Sequence, residues 1–487
     1  MQTPDDAAAP YSHIFPIGYS NSSECGYCRS SGSGQSRKRY SYYAVATSLT
    51  PAFYQKLVNR CWRRSGTLLY RPNQRNSCCP HYTLRLDSTK FRPTKDQRQA
   101  VNRFNKHVVG EAYSKEAARL RPRSREEVRK RDNEFDLVAR IHEAELQSLE
   151  TPPPPAHEFT VTLEPDTFTE EKYEVFENYQ RLVHKEPPEK ISQNGFKRFL
   201  CGSPLTRGSI VGPDGTKREL GSFHQCYRLD GKLVAIGVLD LLPDCVSAVY
   251  FLYHESVHPH NPGKLGAIRE ITLALEAGYR WWYSGFYIHS CPKMKYKVDY
   301  SPQYVLDPET LEWDLLDKEA LAIFDKKPYV SLSRETRLNV ACGVSKEDGK
   351  VVDGATQAGE PTANQPGGGA AGRAERGVGG RAERGVGGRD GGKDKAERVE
   401  EEEDLLFNSD MPGIPSLEQM EHVVMDNLLL RSDYSDSLFL ASDLVVWDTE
   451  SIAEYGNLKS RIAELVAAVG PDLMSEFCVD FRKRDRM

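Results

Sequence analysis

The sequence lacks any run of about 18 consecutive apolar residues, so we expect no segment that spans a membrane. The amino terminus, MQTPDDAAAPYSHIF, lacks the basic start and apolar core of a secretory signal. Eleven cysteines in 487 residues are too few for a small disulfide scaffold. We therefore expect an intracellular protein, in the cytoplasm and also in the nucleus, whose paired cysteines bind a metal.

A large overall charge is also absent, because 65 basic and 70 acidic residues leave a net charge of −5. The distribution is nevertheless uneven, since the segment 51–131 holds 21 Lys or Arg residues against 6 Asp or Glu residues. Aromatic residues such as Trp62 and Tyr70 interleave with these cations, which favours a polyanion partner such as RNA. The alternative is a solvated helical face, which fits 115–131 best because acidic residues interleave there with basic ones.

Changes in composition divide the chain into five segments. They are a basic Cys-rich domain at 1–92, a basic helical spacer at 93–155, a mixed α/β domain at 156–346, a linker at 347–405 and a carboxy-terminal segment at 406–487. The linker contains a duplicated octapeptide, RAERGVGG, and many glycines, so we expect it to be disordered. We expect the last segment to pack on the α/β domain.

Local patterns predict the first strands of the α/β domain. The segments 223–229 and 232–238 flank Asp230-Gly231, a pair that supplies the positive φ angles of a two-residue hairpin turn. The segment 246–253 is rich in β-branched and aromatic residues and predicts a third strand.

A helix and a fourth strand are predicted next. Apolar residues recur at helical spacing after Gly263, Gly278 is placed to end the helix, and 281–289 predicts a strand. This order resembles the core of the GNAT-like acyltransferases, in which a helix amino terminus beside a splayed strand pair receives a phosphate-bearing acyl donor. We therefore expect an α+β fold with a GNAT-like acyltransferase core.

Four of the cysteines are paired along the sequence. Cys25 and Cys28 form a C-x-x-C motif, and Cys78 and Cys79 are adjacent. Four thiolates suit a tetrahedral zinc ion and an iron–sulfur cluster equally well. The alternative is a set of unrelated buried cysteines. We predict metal ligation by all four, and no nucleotide cofactor.

The cysteine pairs stand among longer motifs: WRRSG at 62–66 and CCPHYT at 78–83. A second set follows in the α/β domain, with GKLGAIREI at 263–271 and YIHSCPKMKYK at 287–297. The two sets, in this order, resemble the amino-terminal and carboxy-terminal domains of the arginyl-tRNA–protein transferases. The low-complexity segment 347–403 departs from the family pattern.

The resemblance implies an aminoacyltransferase. Members of this family move arginine from arginyl-tRNA to proteins that begin with Asp, Glu or oxidised Cys, and a ubiquitin ligase then reads the product for degradation. The resemblance also implies an oxygen-sensitive iron–sulfur cluster or related metal, with zinc as the alternative. Its ligands would be Cys25, Cys28, Cys78 and Cys79. The expected partners are arginyl-tRNA, acidic acceptor proteins and the ligase, without a membrane.

Such a transfer needs an amine to attack an ester, so positioning, deprotonation and oxyanion stabilisation are the main demands. If the segment 281–297 is extended, its odd-numbered residues share one face. The catalytic candidates on this face are Tyr287, His289 and Lys293. The candidates for contact with tRNA are Lys264, Lys293, Lys295 and Lys297. The alternative is surface lysines with core aromatics.

The two substrates need partners of opposite charge. The guanidinium of the donor needs a carboxylate, for which Asp240 is the first candidate and Glu270 the second. Asp240 could instead cap a turn. The acidic first residue of the acceptor needs cations, and both chemistry and motif favour the sequence Arg63-Arg64-Ser65.

Two other functions are compatible with parts of the sequence. A CoA-dependent N-acyltransferase would share the fold and use a different donor. A non-enzymatic, metal-binding RNA adaptor would explain the basic Cys-rich segment and the linker. Neither explains the motif at 287–297.

Overall fold

The computed structural model describes residues 11–22, 25, 27–28, 39–149, 153–212, 215–341, 405–433, 435–454 and 456–482. Nearly all of the linker at 347–405 lies outside these residues, so its disorder stays a prediction. Within the described ranges, no helix combines the length and apolar character needed to cross a bilayer.

The described residues form the following strands and helices. The strands are β1 (Ser12–Ser22), β2 (Arg39–Ser48), β3 (Arg63–Ser65), β4 (Leu68–Pro72), β5 (Tyr82–Asp87), β6 (Phe159–Pro165), β7 (Gly208–Val211), β8 (Lys217–Leu229), β9 (Lys232–Leu242), β10 (Cys245–Tyr253), β11 (Trp281–Tyr283), β12 (Phe286–Tyr287), β13 (Gln303–Leu306), β14 (Trp313–Leu315), β15 (Leu429–Ser432), β16 (Ser435–Leu440) and β17 (Phe477–Asp480). The helices are α1 (Pro51–Val58), α2 (Lys95–Leu120), α3 (Arg125–Asn133), α4 (Leu137–His142), α5 (Glu170–Tyr179), α6 (Gln193–Phe196), α7 (Pro262–Glu276), α8 (Lys318–Phe324), α9 (Leu332–Ala341), α10 (Leu417–Glu421) and α11 (Leu458–Val469).

Two sheets organise these elements. The first has the strand order β16-β15-β17-β1-β2-β4-β3, and the second has the order β14-β13-β5-β11-β10-β9-β8-β6. In addition, β7 pairs with β8 and β12 pairs with β5. The fold is therefore mixed α+β, as predicted, and helices α2, α3 and α4 lie within the segment 93–155.

The predicted hairpin is confirmed by β8 and β9. Asp230 and Gly231 adopt φ angles of 52° and 77°, as a two-residue turn of this kind requires. The predicted third strand is β10, and the predicted helix is α7, which buries Ile268 and Ile271 completely.

The strand predicted at 281–289 is broken into β11 and β12. The turn between them contains Gly285 with φ 78°, a left-handed conformation that glycine adopts without steric penalty. β11 pairs in parallel with the start of β10, whereas β12 pairs with β5. The chain thus leaves β10 at this glycine, and β10 and β12 diverge.

Two of the expected boundaries differ from the structure. The segment 1–92 does not stand apart from the α/β domain, because β5 lies between β13 and β11 in the second sheet. The segment 406–487 extends the first sheet, where β17 pairs with β1 and β15 pairs with β17. The physical reason is the same in both cases: a buried strand needs partners for its backbone groups on both edges.

Candidate active site and metal centre

The four paired cysteines converge. Cys25 and Cys28 follow β1, Cys78 and Cys79 precede β5, and their four sulfur atoms lie within 4.8 Å of one another. The Sγ atoms of Cys28 and Cys78 are 3.5 Å apart. A tetrahedral ion with metal–sulfur bonds of about 2.3 Å needs sulfur atoms roughly 3.8 Å apart. The donor set and its spacing therefore fit a metal.

The charges at these thiols also favour a cation. The pKa of Cys25 falls to about 4, because the Cys79 thiol and the backbone N–H groups of Cys28 and Tyr27 stabilise its thiolate. Hydrogen bonding to Cys25 and burial raise the pKa of Cys79. Burial and hydrogen bonding to Cys28 raise the pKa of Cys78 to about 12. Four thiolates at this spacing would repel one another unless a metal ion neutralises them.

The cysteine centre adjoins a cavity. Tyr27 packs edge-on against His81 with ring centroids 5.2 Å apart, and His81 packs against Phe286 at 5.3 Å. These three rings line one wall of a cavity of about 180 Å³. Because Tyr27 lies between two of the cysteines, the cysteine centre positions part of this wall.

The cavity lies in the wedge where β10 and β12 diverge. Ala248 and Phe251 of β10 line one side, Ser284 and Gly285 line the other, and the first turns of α7 contribute the base. At this helix start Pro262 has no N–H, and the N–H groups of Lys264 and Leu265 donate to the carbonyl of Asn261. The N–H of Gly263, which lines the cavity, is left to favour an anion or a polarised carbonyl oxygen. The wedge therefore offers space beside a hydrogen-bond donor.

Glu270 of α7 brings a carboxylate into this cavity. Its side chain is buried, with the residue 3% exposed, and the indole N–H of Trp282 donates to Oε2 at 2.9 Å. Burial raises the pKa of Glu270 to about 7, against the opposing effects of Trp282 and Lys297. A cation bound here would stabilise the ionised form.

Lys297 brings a cation into the same cavity. Its Nζ donates to the carbonyl oxygens of Ser284 at 2.6 Å and Phe286 at 2.7 Å, on either side of Gly285. Burial and the nearby Arg63 lower the pKa of Lys297 to about 7, while Glu270 acts in the opposite direction. The cavity thus holds one acidic and one basic side chain, both buried.

Asp240 and Arg64, predicted for two different substrates, bind each other. Arg64 Nε donates to Asp240 Oδ2 at 2.8 Å, and Nη2 donates to Oδ1 at 2.5 Å. The Ser222 hydroxyl donates to Asp240 Oδ1 at 2.6 Å. Since Arg64 is on β3 and Asp240 is on β9, this buried pair connects the two sheets.

Arg63 and Ser65 flank this pair on β3. Ser65 lines the cavity. Arg63 is buried, its Nη1 donates to the carbonyl of Trp62 at 2.8 Å, and its guanidinium lies over the ring of Phe286 at 5.1 Å. Its Nε and Nη2 have no hydrogen-bond partner among the described residues. Arg63 therefore lies behind the cavity wall with unused donors.

The catalytic candidates of the motif lie outside the cavity. Tyr287 and His289 bond to each other, with the Tyr287 hydroxyl 2.7 Å from Nδ1, and His289 Nε2 is 2.8 Å from Asp325 Oδ1. Lys293 is exposed at the surface, as is Lys295. Their catalytic and RNA-binding roles stay predictions.

The expected common face of Lys293, Lys295 and Lys297 is wrong. Backbone bonds from Cys291 to Ile288, from Met294 to Cys291 and from Lys297 to Met294 coil this segment with a spacing of three residues. The odd-numbered residues consequently point in different directions, and Lys297 alone of the three lysines is buried. Lys264, the fourth tRNA candidate, forms an ion pair with Asp96 at the start of α7.

The cavity does not follow from the sequence if 281–289 is one continuous strand, as expected above. One signal was available: an isolated glycine in a strand pattern indicates a bulge, a bend or a close approach of backbone. Gly285 was that glycine, and the break beside it places Lys297 and Trp282 at the cavity.

The chain matches two known family segments. Residues 23–99 match the family described as the amino terminus of arginine-tRNA-protein transferase, and residues 171–307 match its carboxy terminus. An aspartate/glutamate leucyltransferase of Pseudomonas fluorescens is 26% identical, over 51% of this chain and 77% of that protein. The solved structure of L-PGS from Bacillus licheniformis is 11% identical, over 43% of this chain and 45% of that one, with a TM-score of 0.24, too low to inform the fold.

Curated eukaryotic relatives match more than half of the chain. Arginyl-tRNA–protein transferase 1 of Saccharomyces cerevisiae is 31% identical, over 53% of this chain and 49% of that protein, so the match spans about half of the yeast relative. The Drosophila melanogaster protein of the same name is 26% identical, over 65% of this chain and 85% of its own length. The chain therefore belongs to the family of arginyl-tRNA–protein transferases.

Proposed function

We propose that this protein transfers arginine from arginyl-tRNA to the α-amino group of proteins that begin with Asp or Glu. The cavity carries this proposal. It is lined by residues of both family-matched segments, 23–99 and 171–307, and it holds a buried carboxylate beside a helix start. A site of this kind can hold an ester donor and an amine acceptor side by side, which is the main demand of the reaction.

The second sheet supports a GNAT-like core for this transfer. The hairpin β8–β9, then β10, α7 and β11, follow the order expected of that fold, and β10 loses its parallel neighbour after Ser247. We propose that the segment 156–346, completed by β5, forms the transferase unit. The acyl end of the donor would enter the wedge at the start of α7.

Glu270 is the better of the two carboxylates for the arginyl guanidinium. Asp240 already receives two donors from Arg64, so it has no free bidentate face. Glu270 lines the cavity and receives the indole of Trp282 on Oε2. A guanidinium at Glu270 would neutralise a buried carboxylate and form charge-assisted hydrogen bonds.

The chemical step needs no covalent enzyme intermediate. The neutral α-amine attacks the ester carbonyl carbon, a C–N bond forms, and the bond to the ribose oxygen of the tRNA breaks. The amine proton leaves to solvent or to a basic group, and the released ribose oxygen takes up a proton. The N–H of Gly263 at the start of α7 is suited to the oxyanion that develops on the carbonyl oxygen.

The four cysteines would hold a metal with a structural role. Family resemblance favours an iron–sulfur cluster, whereas sulfur atoms within 4.8 Å suit a single ion such as zinc. In either case the metal would hold Tyr27 against the cavity wall. Anaerobic purification followed by absorbance and metal analysis separates the two: iron, sulfide and absorbance near about 400 nm indicate a cluster, and colourless protein with zinc excludes it.

The transfer itself is tested with purified protein, radiolabelled arginine on tRNA, and a peptide that begins with Asp. We expect label on the peptide that disappears when the charged tRNA is first treated with ribonuclease. No ribonuclease-sensitive label would overturn the proposed function. Labelling from acetyl-CoA would indicate a CoA-dependent acyltransferase, and RNA binding without turnover would indicate an adaptor.

Further partners are proposed from the family resemblance. Exposed Lys293 and Lys295 would contact tRNA phosphates, and a ubiquitin ligase in the cytoplasm or nucleus would read the arginylated product. Loss of tRNA affinity in a Lys293→Ala, Lys295→Ala double variant, with unchanged thermal stability, is the expected result for the lysines.

A further inference from the structure

We propose that the cavity contains an anion subsite, built on Lys297, that binds the side-chain carboxylate of the first residue of the acceptor. This inference rests on the proposed function, because it assigns the acceptor end of the same cavity. It gives Lys297 the role of setting specificity for acidic acceptors, in place of contact with tRNA.

The position of Lys297 fits a ligand inside the cavity. Lys297 is 7% exposed, and its Nζ is held by the carbonyl oxygens of Ser284 and Phe286. An ammonium group has three donors, so one remains for a ligand. The residue between the two carbonyls is Gly285, where a Cβ would lie 3.6 Å from Nζ. Glycine therefore keeps the approach to the ammonium open.

The charges around Lys297 favour a small anion. Both hydrogen-bond partners of Nζ are neutral carbonyls. Arg63, whose guanidinium lies over the ring of Phe286, is a second buried cation near Lys297, and its Nε and Nη2 have no partner among the described residues. Glu270 is the carboxylate that acts on Lys297, and the donor guanidinium would neutralise it. Two buried cations, Lys297 in the cavity and Arg63 behind its wall, would then lack a counter-charge, and a carboxylate bound in the cavity would compensate them.

A carboxylate fits this place better than a phosphate of the tRNA chain. The cavity measures about 180 Å³, and the lysines that solvent and RNA can reach, Lys293 and Lys295, lie outside it. An Asp or Glu side chain anchored at Lys297 would keep its own α-amine within the cavity, next to the donor ester. The arrangement thus gives the cavity an acidic end for the arginine and a basic end for the acceptor.

The test compares peptides that begin with Asp, Glu, Asn or Gln, using full-length metal-bound protein and charged tRNA. In Lys297→Met, we expect kcat/KM for the Asp and Glu peptides to fall by about 10- to 100-fold, the range of one charge-assisted hydrogen bond. The values for Asn and Gln should change little, so discrimination between Asp and Asn should collapse. Lys318→Met, at an exposed lysine on the first turn of α8, is the matched control and should keep it.

Two results would overturn the inference. An equal fall for all four peptides would assign Lys297 to the reacting carbonyl, and unchanged preference for Asp would remove it from recognition. If Lys297→Met does not fold, the wild-type protein is probed without tRNA. Asp-Ala dipeptide should protect Lys297 from reductive methylation, measured by mass spectrometry, and Asn-Ala should not. Equal protection or none would likewise refute the subsite.

The protection experiment with Asp-Ala also distinguishes this inference from the proposed function. Selective protection by Asp-Ala in a protein that transfers no arginine would support the subsite and contradict the transfer. Normal transfer without selective protection would do the reverse.

Discussion

Asp240 and Glu270 are both buried carboxylates, and they have different surroundings. Asp240 is fully buried and receives Nε and Nη2 of Arg64 together with the hydroxyl of Ser222. Glu270 is almost as deeply buried, receives the indole of Trp282 and lines the cavity. An arginine of the chain neutralises the first carboxylate, while the second lines the cavity in which we propose that the arginine of the donor binds.

The comparison distinguishes the Arg64–Asp240 ion pair, which connects the two sheets, from the carboxylate of Glu270, which lines the cavity. Arg64 shows how the interior of this protein binds a guanidinium, with two donors on one carboxylate and a hydroxyl on the same oxygen. A buried charge without such a partner is unfavourable, so proteins retain one where function needs it. Burial raises the pKa of Glu270 to about 7, and the opposing effects of Trp282 and Lys297 do not cancel this rise.

The largest effect is expected on the free energy of unfolding when Asp240 is replaced. Replacing Asp240 with Asn leaves the buried guanidinium of Arg64 without a counter-charge, and we expect the free energy of unfolding to fall by about 3–5 kcal/mol. Denaturant unfolding measures this loss. Asp244→Asn, at an exposed position just beyond β9, is the control and should lose less than about 1 kcal/mol. Similar losses for the two variants would mean that the pair does not join the sheets.

At Glu270 we expect a change in substrate binding and no loss of stability. We expect Glu270→Gln to raise KM for arginyl-tRNA by about 30- to 100-fold, which corresponds to about 2–3 kcal/mol, without lowering the free energy of unfolding. Steady-state kinetics with varied donor measures the change. Glu276→Gln, at the exposed end of the same helix, should leave KM unchanged. An unchanged KM in Glu270→Gln would contradict the assignment of the guanidinium.

The pH dependence of donor binding gives a second test of the role of Glu270. Because the pKa of Glu270 is about 7 in the folded protein, the carboxylate that binds a guanidinium forms as pH rises through 7. We expect the Kd for a non-hydrolysable arginyl-adenosine amide to fall by about tenfold between pH 6 and pH 8. Glu270→Gln should show no such change. A flat profile in the wild-type protein would count against the prediction.

The raised pKa of Glu270 also predicts how the free energy of unfolding changes with pH. Glu270 is protonated more readily in the folded state than in the unfolded state, where its pKa is about 4.3. Its contribution is therefore present below about pH 4.3 and is lost as pH rises through 7. Relative to Glu270→Gln, the wild-type protein should lose free energy of unfolding across this window, as denaturant unfolding at several pH values would measure.

The smallest effect is expected for an ion pair at the surface. Lys56 Nζ lies 2.6 Å from Glu476 Oε1, with both side chains partly exposed to solvent. Lys56→Ala should lower the free energy of unfolding by no more than about 1 kcal/mol, and less in high salt. A loss as large as that of Asp240→Asn would mean that burial does not explain the difference between the carboxylates.

Features that depend on neighbouring residues could be predicted from the sequence. The hairpin at Asp230-Gly231 follows from the φ angles that these two residues tolerate, and α7 follows from apolar residues at helical spacing. The C-x-x-C and Cys-Cys pairs predicted one four-sulfur centre, and the sulfur atoms do converge. In each case the chemistry of the local residues leaves few alternatives.

Features that depend on distant residues could not be predicted in this way. The sequence showed Arg64 and Asp240 as two charged residues, and nothing local indicates that β3 and β9 bring them together. Similarly, a common face for Lys293, Lys295 and Lys297 requires an extended backbone. Backbone hydrogen bonds between residues three apart coil this segment instead.

The sequence by itself determined the family, the four-cysteine cluster and the first strands of the α/β domain, because these follow from motifs and short periodic patterns. Only the tertiary structure decided which charged residues pair with each other and which ones line the cavity. It inserted β5 into the second sheet, broke the strand at Gly285 and turned Lys297 into the resulting cavity. The physical reason is that burial and pairing of charges depend on the arrangement of segments far apart in the chain.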